Sequence, residues 1–70
     1  MSADTMTILI NQVAHQLPVQ ATLLDAITAA GVTPPFAAAV NWQFVPRTAH
    51  ASHVLQPHDH VELIAPITGG

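Results

Sequence analysis

Thr22-Leu23-Leu24-Asp25-Ala26-Ile27-Thr28-Ala29-Ala30-Gly31 is the one stretch of the chain that keeps a helical period. Leu23, Leu24, Ile27 and Ala30 follow three- and four-residue spacing and make one apolar stripe. Thr22 can accept a hydrogen bond from the first turn. Asp25, three residues later, forms a weaker capping box and puts a favourable charge at the helix start. Gly31 stands where a left-handed C-terminal residue is expected, and Pro34-Pro35 prevents continuation. The pattern predicts one helix of about two to three turns, with Leu23, Leu24 and Ile27 packed on a sheet.

On both sides of this helix the period falls to two. Met6, Ile8 and Ile10 alternate with Thr7 and Leu9, which predicts a strand over 5–10 with at least one buried face. Asn11-Gln12 is a plausible tight turn, weaker than Asn-Gly, into a second strand over 13–17. Val13, His15 and Leu17 should share one side of that strand. Phe36 to Val40 is apolar throughout and fits a central strand buried on both faces. Asn41-Trp42 turns the chain into a short strand, Gln43 to Val45, which Pro46 ends at a sheet edge. Thr48 to Ser52 reads as a single helical turn anchored by Leu55, and Gln56 to Asp59 as a turn. The last strand runs from His60 to Ala65, with Val61, Leu63 and Ala65 on one side and His60, Glu62 and Ile64 on the other. One helix and four to five strands make a two-layer α+β domain over 1–70, with the helix on one sheet face.

Composition narrows the function. Seventy residues permit one small core, and a chain of this size buries only ~60% of its unfolded surface. Half the residues are apolar, but twelve of them are alanine, so an enclosed active-site cavity is not expected. With no cysteine there is no disulfide, thiol nucleophile or cysteine-ligated zinc. Arg47 is the only basic side chain and the net charge is −3, which argues against nucleic-acid binding. Lacking lysine, the chain offers only its N-terminal amine as an isopeptide acceptor. No apolar run approaches the ~18 residues of a membrane span, and no signal peptide is evident, so a cytoplasmic protein is expected.

Two of the three glycines are the last two residues. Without a Cβ, Gly69 and Gly70 can thread a narrow channel, and residues 66–70 should project from the domain as a flexible tail. Two readings fit such a tail: an ordinary flexible end that happens to finish in glycines, or the α-carboxylate of Gly70 as the reactive group, with Ile67, Thr68 and Gly69 giving it access. A carboxylate is a poor electrophile. Another enzyme must convert it to an acyl adenylate before a nucleophile, such as a sulfur donor, can displace AMP.

Several segments together resemble the ThiS family, the ubiquitin-like sulfur carriers of thiamine biosynthesis. They are Met6-Thr7-Ile8-Leu9-Ile10-Asn11, Leu23-Leu24-Asp25-Ala26-Ile27, Val40-Asn41-Trp42-Gln43-Phe44-Val45-Pro46-Arg47, and Asp59-His60-Val61-Glu62-Leu63-Ile64 leading to Gly69-Gly70. The Val-Pro-Arg piece is the most discriminating. The resemblance implies a β-grasp fold and a protein cosubstrate rather than an enzyme. It also implies an adenylating partner of the ubiquitin-activating type, using MgATP and a sulfur donor, and delivery of sulfur from a Gly70 thiocarboxylate to thiazole synthase. The sequence departs from the family at Pro57-His58-Asp59, where Gly-Asp is common, at the large Trp42, and at Pro66.

Two other functions stand beside this one: the sulfur-carrying small subunit of a molybdopterin synthase, and a non-covalent β-grasp interaction module. No cofactor is expected to be bound, and the free protein is expected to be a monomer. The five histidines include His58 and His60 beside Asp59, and His50 near His53. Without cysteines or a carboxylate cluster they read as solvated surface residues and not as a metal site. Arg47 is expected to pair with Glu62 or with backbone carbonyls, or to meet a partner. The sheet face away from the helix is the docking candidate, with Trp42, Phe44, His60, Glu62 and Ile64 on it.

Overall fold

The computed structural model describes residues 4–65. Pro66, Ile67, Thr68, Gly69 and Gly70, with the expectations placed on them, lie outside these residues. The elements are β1 (Thr5–Ile10), β2 (Val13–Pro18), α1 (Leu23–Ala30), β3 (Ala37–Val40), β4 (Gln43–Val45), a 3-10 helix (Arg47–Ala49) and β5 (His60–Ile64). The five strands form one mixed sheet in the order β2-β1-β5-β3-β4, with β1 and β5 parallel and the other neighbours antiparallel.

The helix forms where its local signals place it. The Thr22 hydroxyl accepts the Asp25 N–H at 3.3 Å, and the Asp25 carboxylate accepts the Thr22 N–H at 2.9 Å, so both halves of the capping box are present. Gly31, at φ 73°, donates its N–H to the carbonyls of Ile27 and Thr28 and closes the last turn. Leu23, Ala26 and Ile27 are the buried face. Leu24, expected on that stripe, is 45% exposed instead. It stands one residue, about 100° of helix, from Leu23, and the sheet covers only one of the two.

The core lies between this helix and one sheet face: Met6, Ile8 and Ile10 of β1, Ala38 and Val40 of β3, Val61 and Leu63 of β5, and Val45 of β4. Fully buried Ile8, Leu23, Leu55 and Val61 are the large side chains at its centre, each contributing on the order of 1.5–3 kcal/mol by leaving water. Leu55 is anchored through its N–H to the Ala21 carbonyl at 2.8 Å and belongs to this core. Val13, grouped with Leu17 by period, is exposed; it stands at the turn end of β2, an edge strand.

Two strand expectations change. The strand expected over Phe36 to Val40 begins at Ala37, and β5, not β3, is central. Only one face of β3 is buried: Ala38 and Val40 are in the core, whereas Ala39 is half-buried and Ala37 exposed. Among the described residues the helix is the only second layer, so nothing there covers the outward alanines. The last strand stops at Ile64, with Ala65 exposed beyond it. The single turn expected within Thr48 to Ser52 is the 3-10 helix starting at Arg47.

Candidate partner-docking face

β5 places its two side-chain sets on opposite sheet faces. Val61 and Leu63 are buried under the helix, so His60, Glu62 and Ile64 turn to the open face. Register brings the neighbouring strands into line with them. Glu62 lies opposite Ala39, which lies opposite Phe44, and Ile64 lies opposite Ala37. Phe44 and Trp42 are each 69% exposed and Ile64 is 59% exposed. Trp42 leans over the same strand, its ring 5.0 Å from that of His60 at 31°. The five residues singled out from the sequence therefore gather around the edge and middle of one open face. Small Ala37 and Ala39 between them leave the larger side chains standing proud.

The turn that presents Trp42 is held from below. Asn41 and Trp42 have φ of 51° and 68°, the left-handed pair of a two-residue hairpin turn. The Asn41 N–H donates to the His60 carbonyl at 2.7 Å, its side-chain oxygen accepts the His60 N–H at 3.0 Å, and its amide donates to Asp59 at 3.0 Å. The second Asp59 oxygen accepts the Gln56 N–H at 2.8 Å. The network around Asn41 holds the turn, and Trp42, in a backbone position that favours glycine, presents its exposed indole from it.

Glu62 is the one charged residue among these five. Arg47, expected to meet Glu62 or a partner, is not beside it. Arg47 follows β4 past Pro46 and lines a groove at the other end of the sheet edge. The expectation of five solvated histidines fails at His50. It is buried, stacked on Phe36 with 6.0 Å between ring centres, and its Nε2–H donates to the Val45 carbonyl at 3.1 Å. Among the described residues no group of three His, Asp or Glu is placed to hold a metal ion. No helix there is long and apolar enough to cross a membrane.

A sequence model of the ThiS family matches residues 3–70, nearly the full length of the chain. No curated protein gives a significant match. Among solved structures, the fold is similar to the crystal structure of the thiamine biosynthesis protein ThiS from Geobacter metallireducens. The TM-score is 0.74 at 17% identity, covering 93% of this chain and all of the other. The mixed five-stranded sheet with a single helix is thus the β-grasp fold.

Proposed function

Because the chain belongs to the ThiS family, we propose that it is a sulfur carrier of thiamine biosynthesis whose Gly70 carboxylate is the working group. In this reading the carboxylate attacks the α-phosphorus of MgATP on an adenylating partner and expels pyrophosphate. A sulfur nucleophile then displaces AMP to leave a thiocarboxylate, whose sulfur passes to thiazole synthase. The carrier supplies no general acid or base and needs no bound cofactor of its own.

The observation that carries the reading is the family match running through Gly69-Gly70. The geometry supports it. β5 is the middle strand of the sheet and ends at Ile64, six residues before Gly70, so a strand paired on both sides sets where the tail begins. The exposed Trp42, Phe44 and Ile64 lie on the face that flanks this departure and offer an apolar surface to a partner.

The test uses the full chain and a purified adenylating enzyme of the thiamine pathway. Wild type should support ATP–pyrophosphate exchange, and protein recovered from cells should contain a form heavier by ~16 Da, the difference of sulfur for oxygen. Deleting Gly69 and Gly70 should abolish both while leaving the melting temperature unchanged. Exchange that persists in the truncated protein overturns the reading.

A further inference from the structure

A groove of about 540 Å³ runs between the helix and the β4 edge. Its walls are Leu24 and Ile27 of α1, Val32, Phe36, and Phe44 and Val45 of β4, with His50 among them. The imidazole is a fixed part of this wall, since it stacks on Phe36 and its Nε2–H is committed to the Val45 carbonyl. The exposure of Leu24, which a purely core-packing helix does not explain, is exposure into this groove.

Arg47 is the only charged side chain on the groove and the only lysine or arginine in the chain. The four side-chain carboxylates are placed elsewhere. Asp25 closes the helix cap, Asp59 holds Asn41 and Gln56, Glu62 faces the open side of the sheet, and Asp4 lies beside Val19 at the far edge strand. A protein of net charge −3 therefore presents its single Lys or Arg side chain at the rim of an apolar groove.

The groove also lies near the root of the tail. Ala37, one of its lining residues, is opposite Ile64 in register, and the chain leaves the sheet at Ala65. The five residues from Pro66 to Gly70 span at most roughly 17 Å fully extended. A protein whose active site receives Gly70 must therefore bring its own surface close to Arg47.

We propose that the groove receives a segment of the adenylating partner that carries an apolar side chain with a carboxylate beside it, the carboxylate pairing with Arg47. This rests on the carrier reading above. A guanidinium forms a two-point pair with a carboxylate, and an apolar surround weakens competition from water. As the one Lys or Arg side chain, Arg47 also sets the register of docking, because no second Lys or Arg can hold the segment in a shifted position.

The experiment titrates wild type, Arg47→Glu, Arg47→Gln and Arg47→Lys into the purified adenylating enzyme and reads Kd, together with ATP–pyrophosphate exchange. Arg47→Glu should raise Kd ~10-fold or more, Arg47→Lys should lose less, and exchange at subsaturating carrier should fall in step with the rise in Kd. Added salt should weaken wild type more than Arg47→Gln. Arg47→Glu binding within twofold of an active wild type overturns the inference and leaves the carrier reading intact. A wild type that is neither bound nor activated removes the carrier reading and this inference with it. Arg47-dependent self-association of the carrier, seen by sedimentation, overturns the inference in favour of a second copy as the occupant.

Discussion

The Asn11 side chain acts as an extra strand residue opposite Leu63. Its oxygen accepts the Leu63 N–H at 2.9 Å and its amide donates to the Leu63 carbonyl at 3.2 Å, while its own N–H donates to the Val61 carbonyl at 2.8 Å. β1 ends at Ile10, so this side chain extends the parallel pairing with β5 past the end of the strand. Asn41 binds His60 at the other end of β5 in a similar way. Each asparagine is the first residue of a hairpin turn, and each has positive φ. The strand that leads to the C-terminus is held at both ends by the two turns.

Asn11→Gly tests this clamp without adding backbone strain. Glycine accepts the φ of 50° at this position, so the main loss is the two side-chain hydrogen bonds. The expected cost is about 1–2 kcal/mol, or a melting temperature lower by roughly 4–8 °C per kcal/mol in a domain of this size. Asn11→Ala should be worse, because it adds a left-handed alanine. Denaturant unfolding of both variants measures this, and an Asn11→Gly protein as stable as wild type removes the clamp.

Gln12→Gly should act in the opposite direction. Gln12 is exposed, has φ of 70° and makes no side-chain hydrogen bond among the described residues. Replacing it gives the Asn-Gly pair that suits this turn. Relief of the left-handed strain should outweigh the added chain entropy and raise stability by about 0.5 kcal/mol. A lower denaturation midpoint would show that Gln12 is held by something other than its backbone.

The helix was legible because all its signals are local: the Thr22–Asp25 box, the Leu23–Ile27 spacing and Gly31 lie within ten residues. The facing of His60, Glu62 and Ile64 was legible from a period of two. The double clamp was not, because Asn11 meets a partner 52 residues away and nothing around it in sequence announces Leu63. Nor was the position of β3. An all-apolar run of alanines looks buried on both sides, yet Ala37 and Ala39 are small enough to face outward at little cost. His50 was misread because its partners, Phe36 and the Val45 carbonyl, approach it from other segments. The groove follows from Leu24 on the helix meeting Phe36 on the segment before β3, which spacing along one element does not reveal.

His50→Ala should destabilise the domain by about 2–4 kcal/mol, from a lost buried ring and an unpaired Val45 carbonyl together. His58→Ala, at an exposed turn position where the φ of 70° is already borne by a side chain with a Cβ, should stay within about 0.5 kcal/mol of wild type. Equal stability of the two variants would show that the burial of His50 carries no energy. For a domain this small the larger figure is a substantial share of its total stability.

Ile64→Glu and Thr28→Glu decide which face meets the adenylating partner. Ile64 is 59% exposed on the open sheet face, so a carboxylate there should leave the melting temperature close to that of wild type, and circular dichroism checks this first. The same substitution puts a charge beside Glu62 and within the apolar group formed with Phe44 and Trp42. If that group becomes the dry centre of an interface, the new carboxylate must lose its water without a partner, and binding should weaken by ~10-fold or more. Thr28 is exposed on the helix, where its hydroxyl donates to the Leu24 carbonyl at 3.0 Å, and it does not line the groove. Thr28→Glu adds the same charge to the whole protein, so it controls for long-range repulsion, and it should bind within about twofold of wild type. A folded Ile64→Glu that binds normally while Thr28→Glu does not would place the partner on the helix. Docking there would turn the open face, with its exposed aromatic residues, away from the partner.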